Sequence, residues 1–291
     1  MRDWPATQGN MNQKKVILSV ALCGNATSKR MNPSVPIQPE EMAADIVRCA
    51  KAGASIAHIH ARDKDGVPTM DVNVYQEICR ATRQACAEAG VDIVLNLTTS
   101  GSCYSHEERM AHLRACRPEM CTFDPCTMNW ANRSVFLNEP EFLKKLGIAA
   151  QELNIKPEIE IFDCGHLHNL KYFIENKILT APLHLQFILG VVGAMPGNVK
   201  SLGYLLHYLP EGSTWSISGI GKAHVPMMLA GLAAGCDGLR VGLEDNLYLE
   251  RGVLATNEQL VARAAELTRL AGREVATAAD TRATLGLRVP E

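Results

Sequence analysis

The chain has 291 residues, 47% of them hydrophobic, and its 29 Lys and Arg against 31 Asp and Glu leave a formal charge of -2. That length can bury a large core in one long α/β domain, and the near balance of charge gives no electrostatic reason to expect a nucleic acid or an acidic membrane as partner. No uninterrupted apolar run is long enough to cross a bilayer, and the polar start, Met1 to Asn12, lacks the apolar core of a signal peptide. A flexible tail over residues 1–14 of a cytoplasmic protein is therefore expected, followed by one folded domain over 15–291. The ten cysteines form no CxxC pair, which favours reduced thiols over a disulfide framework or a zinc finger.

Val16 to Leu22 reads as a short apolar strand, and Cys23–Gly24–Asn25 turns out of it into a loop containing Pro33 and Pro36. Pro39 suits a helix start, with Glu40 and Glu41 in the first turn and Met42, Ile46, Val47 and Ala50 as the inner stripe up to Gly53. The second strand is Ile56–Ala57–His58–Ile59–His60, whose two histidines share one face. Asp71 caps a helix that Gly90 stops, and Val91 to Leu97 is the third strand, running into Thr98–Thr99–Ser100. Ser105 with Glu108 predicts a capping box, and Asn138 with Glu141 predicts another after a fourth strand at Met120–Phe123 and a long loop through Asn129 and Asn132.

Pro157 to Phe162 is the fifth strand and carries acids at alternate positions, Glu158 and Glu160. His184 to Gly190, Thr214 to Ser218 and Gly238 to Gly242 supply the sixth, seventh and eighth. Leu202, Leu205 and Leu206 mark a helix after the sixth, an apolar helix through Ala234 follows the seventh, and helices starting at Thr256 and Thr277 close the chain as a C-terminal helical extension. This steady alternation predicts a (β/α)₈ TIM barrel. A doubly wound sheet would need a glycine-spaced dinucleotide turn after an early strand, and Cys23–Gly–Asn–Ala–Thr27 lacks it.

A barrel gives the strand ends their weight, because its active site gathers at the C-terminal ends of the strands. Strands eight, one and two are then neighbours, so Glu244 approaches His58 and His60, and two imidazoles with one carboxylate suit catalytic Zn²⁺. Glu160, on the inner face, needs a cation, hydrogen bonds or a raised pKa, any of which suits a general base. Arg240 either binds substrate or pairs with Glu244 or Asp245. Thr98 to Ser102 is either a site loop or a plain turn, and Gly219, Gly221 and Gly197 offer backbone nests for a phosphate.

These residues fall into patterns that resemble a known family. Pro36–x–x–Pro39–Glu40–Glu41, His58–x–His60–x–Arg62–Asp63, Lys156–Pro–Glu–x–Glu160 and Arg240–Val–Gly–Leu–Glu–Asp245 together resemble the β-keto acid cleavage enzymes, from Lys15 to about Leu287. The resemblance implies a zinc-dependent (β/α)₈ barrel that condenses a β-keto acid with acetyl-CoA to give acetoacetate and a new acyl-CoA. It implies His58, His60 and Glu244 as zinc ligands, Arg240 on the substrate carboxylate, Asp245 as an acid/base group, and Glu160 or Glu158 as the base. Ser100 or Thr99, with Asn25, would contact substrate, and the CoA arm would run over the glycine-rich loops of strands six and seven.

One departure from the pattern bears on substrate. Members acting on amino-bearing keto acids carry an acid after strand one, whereas this chain has Gly24–Asn–Ala–Thr–Ser28 and then Lys29 and Arg30, which points to a neutral or acidic side group. A metal-dependent aldolase or lyase without CoA, and a non-catalytic metabolite-binding barrel, are the competing readings. A homo-oligomer, dimer or tetramer, is expected.

Overall fold

The structure is a computed structural model that describes residues 14–289, so the expected tail lies outside the described residues except for Lys14. From the N-terminal side, β1 (Ile17–Ala21) leads to α1 (Pro39–Ala52), β2 (Ile56–Ile59) to α2 (Val72–Ala89), and β3 (Val94–Leu97) to α3 (Glu108–Cys116). β4 (Met120–Phe123) is followed by a hairpin, β5 (Met128–Trp130) and β6 (Ser134–Phe136), and then by α4 (Pro140–Glu152). β7 (Lys156–Ile161), α5 (Cys164–Glu175), β8 (His184–Leu189), α6 (Val199–His207), β9 (Thr214–Gly219) and α7 (His224–Ala233) continue the alternation. β10 (Gly238–Val241) precedes a second hairpin, β11 (Tyr248–Glu250) and β12 (Val253–Leu254), before α8 (Asn257–Leu270) and α9 (Ala278–Leu285).

Eight of these strands close on themselves in the order β1-β10-β9-β8-β7-β4-β3-β2, every pairing parallel. This is the (β/α)₈ TIM barrel that the alternation predicts.

Local chemistry explains most element boundaries. Pro39 opens α1, Gln38 and Glu41 close a capping box, and Gly53 ends the helix at φ 119°, where only glycine is unstrained. Asp71 caps α2 by accepting from the Asn73 N–H, and Thr256 with Gln259 caps α8 as expected.

Three expectations differ in detail. Asn138 does not cap α4: the helix starts at Pro140 behind Glu139, and Asn138 is buried, accepting a 2.7 Å bond from Arg109 Nη2. The long loop after β4 is in fact the β5–β6 hairpin, and α5, capped by Asp163, is an element that the sequence patterns do not flag.

The barrel interior is layered by the alternation of the strands. At the lower end, Ile17, Ile56, Val94 and Met120 form an apolar layer that Ala276 and Leu285 close from below. Two residues further along the same strands the interior turns polar: Ser19, His58, Asn96 and Thr122 are buried there, beside Glu158 and Gln186. Asn96 Nδ2 donates to Glu158 Oε2 at 2.6 Å, and Ser216 Oγ donates to Gln186 Oε1 at 2.5 Å. Above this layer lies the site.

Candidate active site

His58 belongs to β2 and His60 follows it, so the alternation turns both rings to the interior, 4.9 Å apart between centroids. β1 lies between β2 and β10, with Ala21 opposite His58 and Val20 opposite Val241. Past β10 the chain bends at Gly242 (φ 141°), where a Cβ would strike the Ala21 backbone, and the Glu244 N–H donates to the Ala21 carbonyl at 3.2 Å. The bend delivers the Glu244 carboxylate between the imidazoles, its Oε2 3.5 Å from His58 Nε2 and its Oε1 3.4 Å from His60 Nε2. Donors about 2.1 Å from a tetrahedral ion stand roughly 3.4 Å from one another, so these spacings suit three ligands around one cation.

The polar contacts fit the same reading. Glu244 Oε2 is buried without a hydrogen-bond partner, as a carboxylate oxygen reserved for a cation would be. Asn25 Oδ1 lies 3.0 Å from His60 Nδ1, an acceptor that keeps the proton on Nδ1 and leaves the Nε2 lone pair free. Burial holds His58 well below the usual imidazole pKa, in the neutral form that ligates metals. Burial opposes ionisation of Glu244, but the cationic charge facing it, Arg240's included, outweighs this and keeps its carboxyl well below the usual range. His58, His60 and Glu244 thus form a cluster able to hold a divalent metal ion. A second grouping at similar spacing, His58 with Glu158 and Glu160, has only one imidazole, and Glu158 and Glu160 are bonded to Asn96 and Arg240.

Arg240 is the electrostatic centre of the site. Its buried side chain donates from Nη1 to Glu160 Oε1 at 2.6 Å, from Nε to Asp245 Oδ2 at 3.0 Å, and from Nη2 to Glu244 Oε1 at 3.0 Å and Asp245 Oδ1 at 3.3 Å. The fork that the sequence reading offers to a substrate carboxylate is therefore spent on the chain's own carboxylates, leaving one Nη1 hydrogen of its five. Asp245 also accepts from Ser218 Oγ at 2.9 Å, and burial raises its pKa above the usual carboxylate value. Beneath them, burial pushes the fully enclosed Glu158 up to about 7.

Above this floor opens a cavity of about 640 Å³. Asn25, His60, Glu160, Arg240, Glu244 and Asp245 line it, as does Ser100, whereas Thr99 does not. The Thr99 hydroxyl instead donates to the Thr122 carbonyl at 3.1 Å, in the wall between β3 and β4.

Gly219, Gly221 and Gly197 do not line the cavity either. A Cβ on Gly219 or Gly197 would strike Ala223, so these two let segments pack closely, while Gly190 and Ile220 are the lining residues from the same loops. The upper wall has no counterpart among the sequence expectations: Trp130 and Phe136 of the β5–β6 hairpin stand over the cavity, Trp130 edge-on to Phe162 at 5.6 Å. Two aromatics in a stretch otherwise rich in Asn were the available signal. Arg62, part of the His58–x–His60–x–Arg62–Asp63 pattern, is 4% exposed and braces the loop after β1 through the Gly24 and Thr27 carbonyls, holding Asn25 in place.

A family model for beta-keto acid cleavage enzymes matches residues 15–287. The chain is 34% identical over 276 residues to the 3-keto-5-aminohexanoate cleavage enzyme of Fusobacterium nucleatum, covering 94% of this chain and 99% of that one. It is 33% identical over 276 residues to the 3-oxoadipate:acetyl-CoA acetyltransferase of Cupriavidus necator, covering 93% and 94%. Among solved structures, the ternary complex of ObcA with a C4-CoA adduct and oxalate shares the fold, with a TM-score of 0.76 at 21% identity over 88% of this chain and 68% of that one. With the family pattern matched across nearly the whole chain and its two histidines, glutamate and arginine gathered at one end of the barrel, this chain belongs to the β-keto acid cleavage enzyme family.

Proposed function

We propose that this enzyme condenses a β-keto acid with acetyl-CoA, releasing acetoacetate and a new acyl-CoA, at the floor formed by His58, His60, Glu160, Arg240, Glu244 and Asp245. The observation that carries the reading is the Glu244 carboxylate between two imidazoles, with one buried oxygen unpartnered, beside a guanidinium that binds three carboxylates. His58, His60 and Glu244 would hold Zn²⁺, which when bound supplies a Lewis acid for a keto carbonyl.

The remaining steps belong to the chain. The free Arg240 N–H and Ser100 orient the keto acid's carboxylate over the floor, and Asn25 holds His60 in its ligating tautomer. Glu160, with Oε1 fixed on Arg240, takes a proton from the carbon between the two carbonyl groups. Asp245, held by Arg240 and Ser218, is the second acid/base group. The apolar upper cavity excludes water, and the loops carrying Gly190 and Ile220 offer a path for the CoA arm.

Among the described residues, the cavity lining beyond this floor carries no charged side chain, with Met70, Tyr104, Trp130, Phe136 and Phe162 prominent in it. That favours a β-keto acid with a neutral, apolar side group over an amino-bearing or acidic one. Ten free cysteines favour the cytoplasm, and the exposed Tyr248, Val253 and Leu254 of the second hairpin favour a homo-oligomer. No helix among the described residues is long and apolar enough to cross a membrane.

The test incubates zinc-loaded enzyme with acetyl-CoA and β-keto acids bearing alkyl, amino and carboxyl side groups, following acyl-CoA by mass spectrometry. Alkyl substrates should turn over best, and His58→Ala should lower both bound metal and turnover by roughly a thousandfold or more. Turnover that needs no CoA would replace this reading with a lyase.

A further inference from the structure

Asp124 stands just past β4 and has no part in the chemistry described above. β4 and β7 run in register, with Thr122 opposite Glu158 and Phe123 opposite Ile159, so the next pair is Asp124 and Glu160. The alternation of the strands turns both side chains to the interior. Asp124 is 1% exposed, neither of its oxygens has a hydrogen-bond donor, and the register sets its carboxyl group beside that of Glu160.

Two buried carboxyl groups side by side cannot both stay ionised without donors for each. Neither nearby guanidinium donates to Asp124. Arg240 gives one Nη1 hydrogen to Glu160 Oε1 at 2.6 Å and none of its hydrogens to Asp124. Arg109, the other guanidinium whose charge Asp124 feels, spends its donors on the Thr99 and Leu137 carbonyls and on Asn138 Oδ1.

We propose that Asp124 is a positioning residue: it keeps a proton at neutral pH and donates it to Glu160, which is thereby gripped by Arg240 on one side and Asp124 on the other. Burial, reinforced by Glu160, raises the Asp124 carboxyl well above the usual range, in agreement with that assignment. A carboxylate swings readily about its last torsion, and a proton acceptor that swings loses its alignment with the carbon it serves. The double grip removes that freedom. The kinetic part of this inference rests on the proposed condensation; the protonation state does not.

The experiment compares Asp124→Asn, whose amide replaces the lost O–H donor, with Asp124→Ala. Asp124→Asn should keep kcat within about threefold, while Asp124→Ala should lower kcat roughly 10- to 100-fold with little change in KM. Wild-type minus Asp124→Asn infrared spectra near pH 8, without any substrate, should show a protonated-carboxyl band that belongs to Asp124. Absence of that band, or an Asn variant as impaired as the Ala variant, would overturn the proposal. A band present in a protein that turns over no β-keto acid would leave the positioning geometry standing and remove only the reaction. If Asp124→Ala does not fold, the Asn variant and the infrared difference still decide.

Discussion

At its lower end the barrel is filled by Ile17, Ile56, Val94 and Met120 with Leu285 pressed against them, whereas a few residues further up its interior holds His58, His60, Asp124 and Glu160. Both layers are buried and both are built by the same two-residue alternation. The lower one loses little on leaving water and needs only shape, so it supplies stability. The upper one is stable only because each charge has a partner, and that obligation fixes its side chains in place for chemistry. One scaffold thus separates anchoring from reactivity along the barrel axis.

The sharpest way to break this contrast is Arg240→Gln. It leaves Glu160, Glu244 and Asp245 without their common cation, and unfolding by urea should show a loss of about 3–5 kcal/mol along with the loss of turnover. Unchanged stability would mean that the carboxylates do not depend on the guanidinium. Leu285→Ala probes the opposite layer. It should cost about 2–4 kcal/mol of stability while kcat and bound metal, measured well below the melting range, stay at the wild-type level. A parallel fall in kcat would show that the layers are coupled.

Acid sensitivity sharpens the comparison through imidazoles buried away from the metal cluster. Burial lowers His184 to about 3 and His112 and His224 to about 4, against an ordinary 6.5 in the unfolded chain. The unfolded chain therefore binds protons that the folded one refuses. Their stabilising contribution is complete above pH 6.5 and is lost as pH falls from there towards about 4, by about 1.4 kcal/mol per pH unit for each imidazole. Urea midpoints at several pH values between 7 and 5 should reveal the slope, and His112→Gln should flatten it by about one imidazole's share.

The barrel was legible because apolar strands and turn residues recur in order, and the approach of Glu244 to His58 followed from topology alone, with β1 between β2 and β10. What escaped the sequence depends on contacts between distant segments. Asp124 looks like a loop residue until the β4–β7 register sets it beside Glu160. Gly219 and Gly197 look like phosphate-binding glycines until Ala223 is seen to occupy the space of their missing side chains. The β5–β6 hairpin hides behind Asn132, which takes a positive φ of 54° and turns a stretch that reads as loop into paired strands. Arg240 was recognisable as a site residue, but the number of carboxylates it must satisfy was not.

The cluster draws His58 and His60 from near the start of the chain and Glu244 from beyond the eighth barrel strand, and β1 finds its second neighbour only when Gly238 to Val241 are in place opposite it. A polypeptide emerging from the ribosome therefore carries two isolated histidines for most of its synthesis, with no third ligand to enclose an ion. An ion held at this cluster would be enclosed only when the barrel closes, and metal occupancy would then record how many molecules have finished folding.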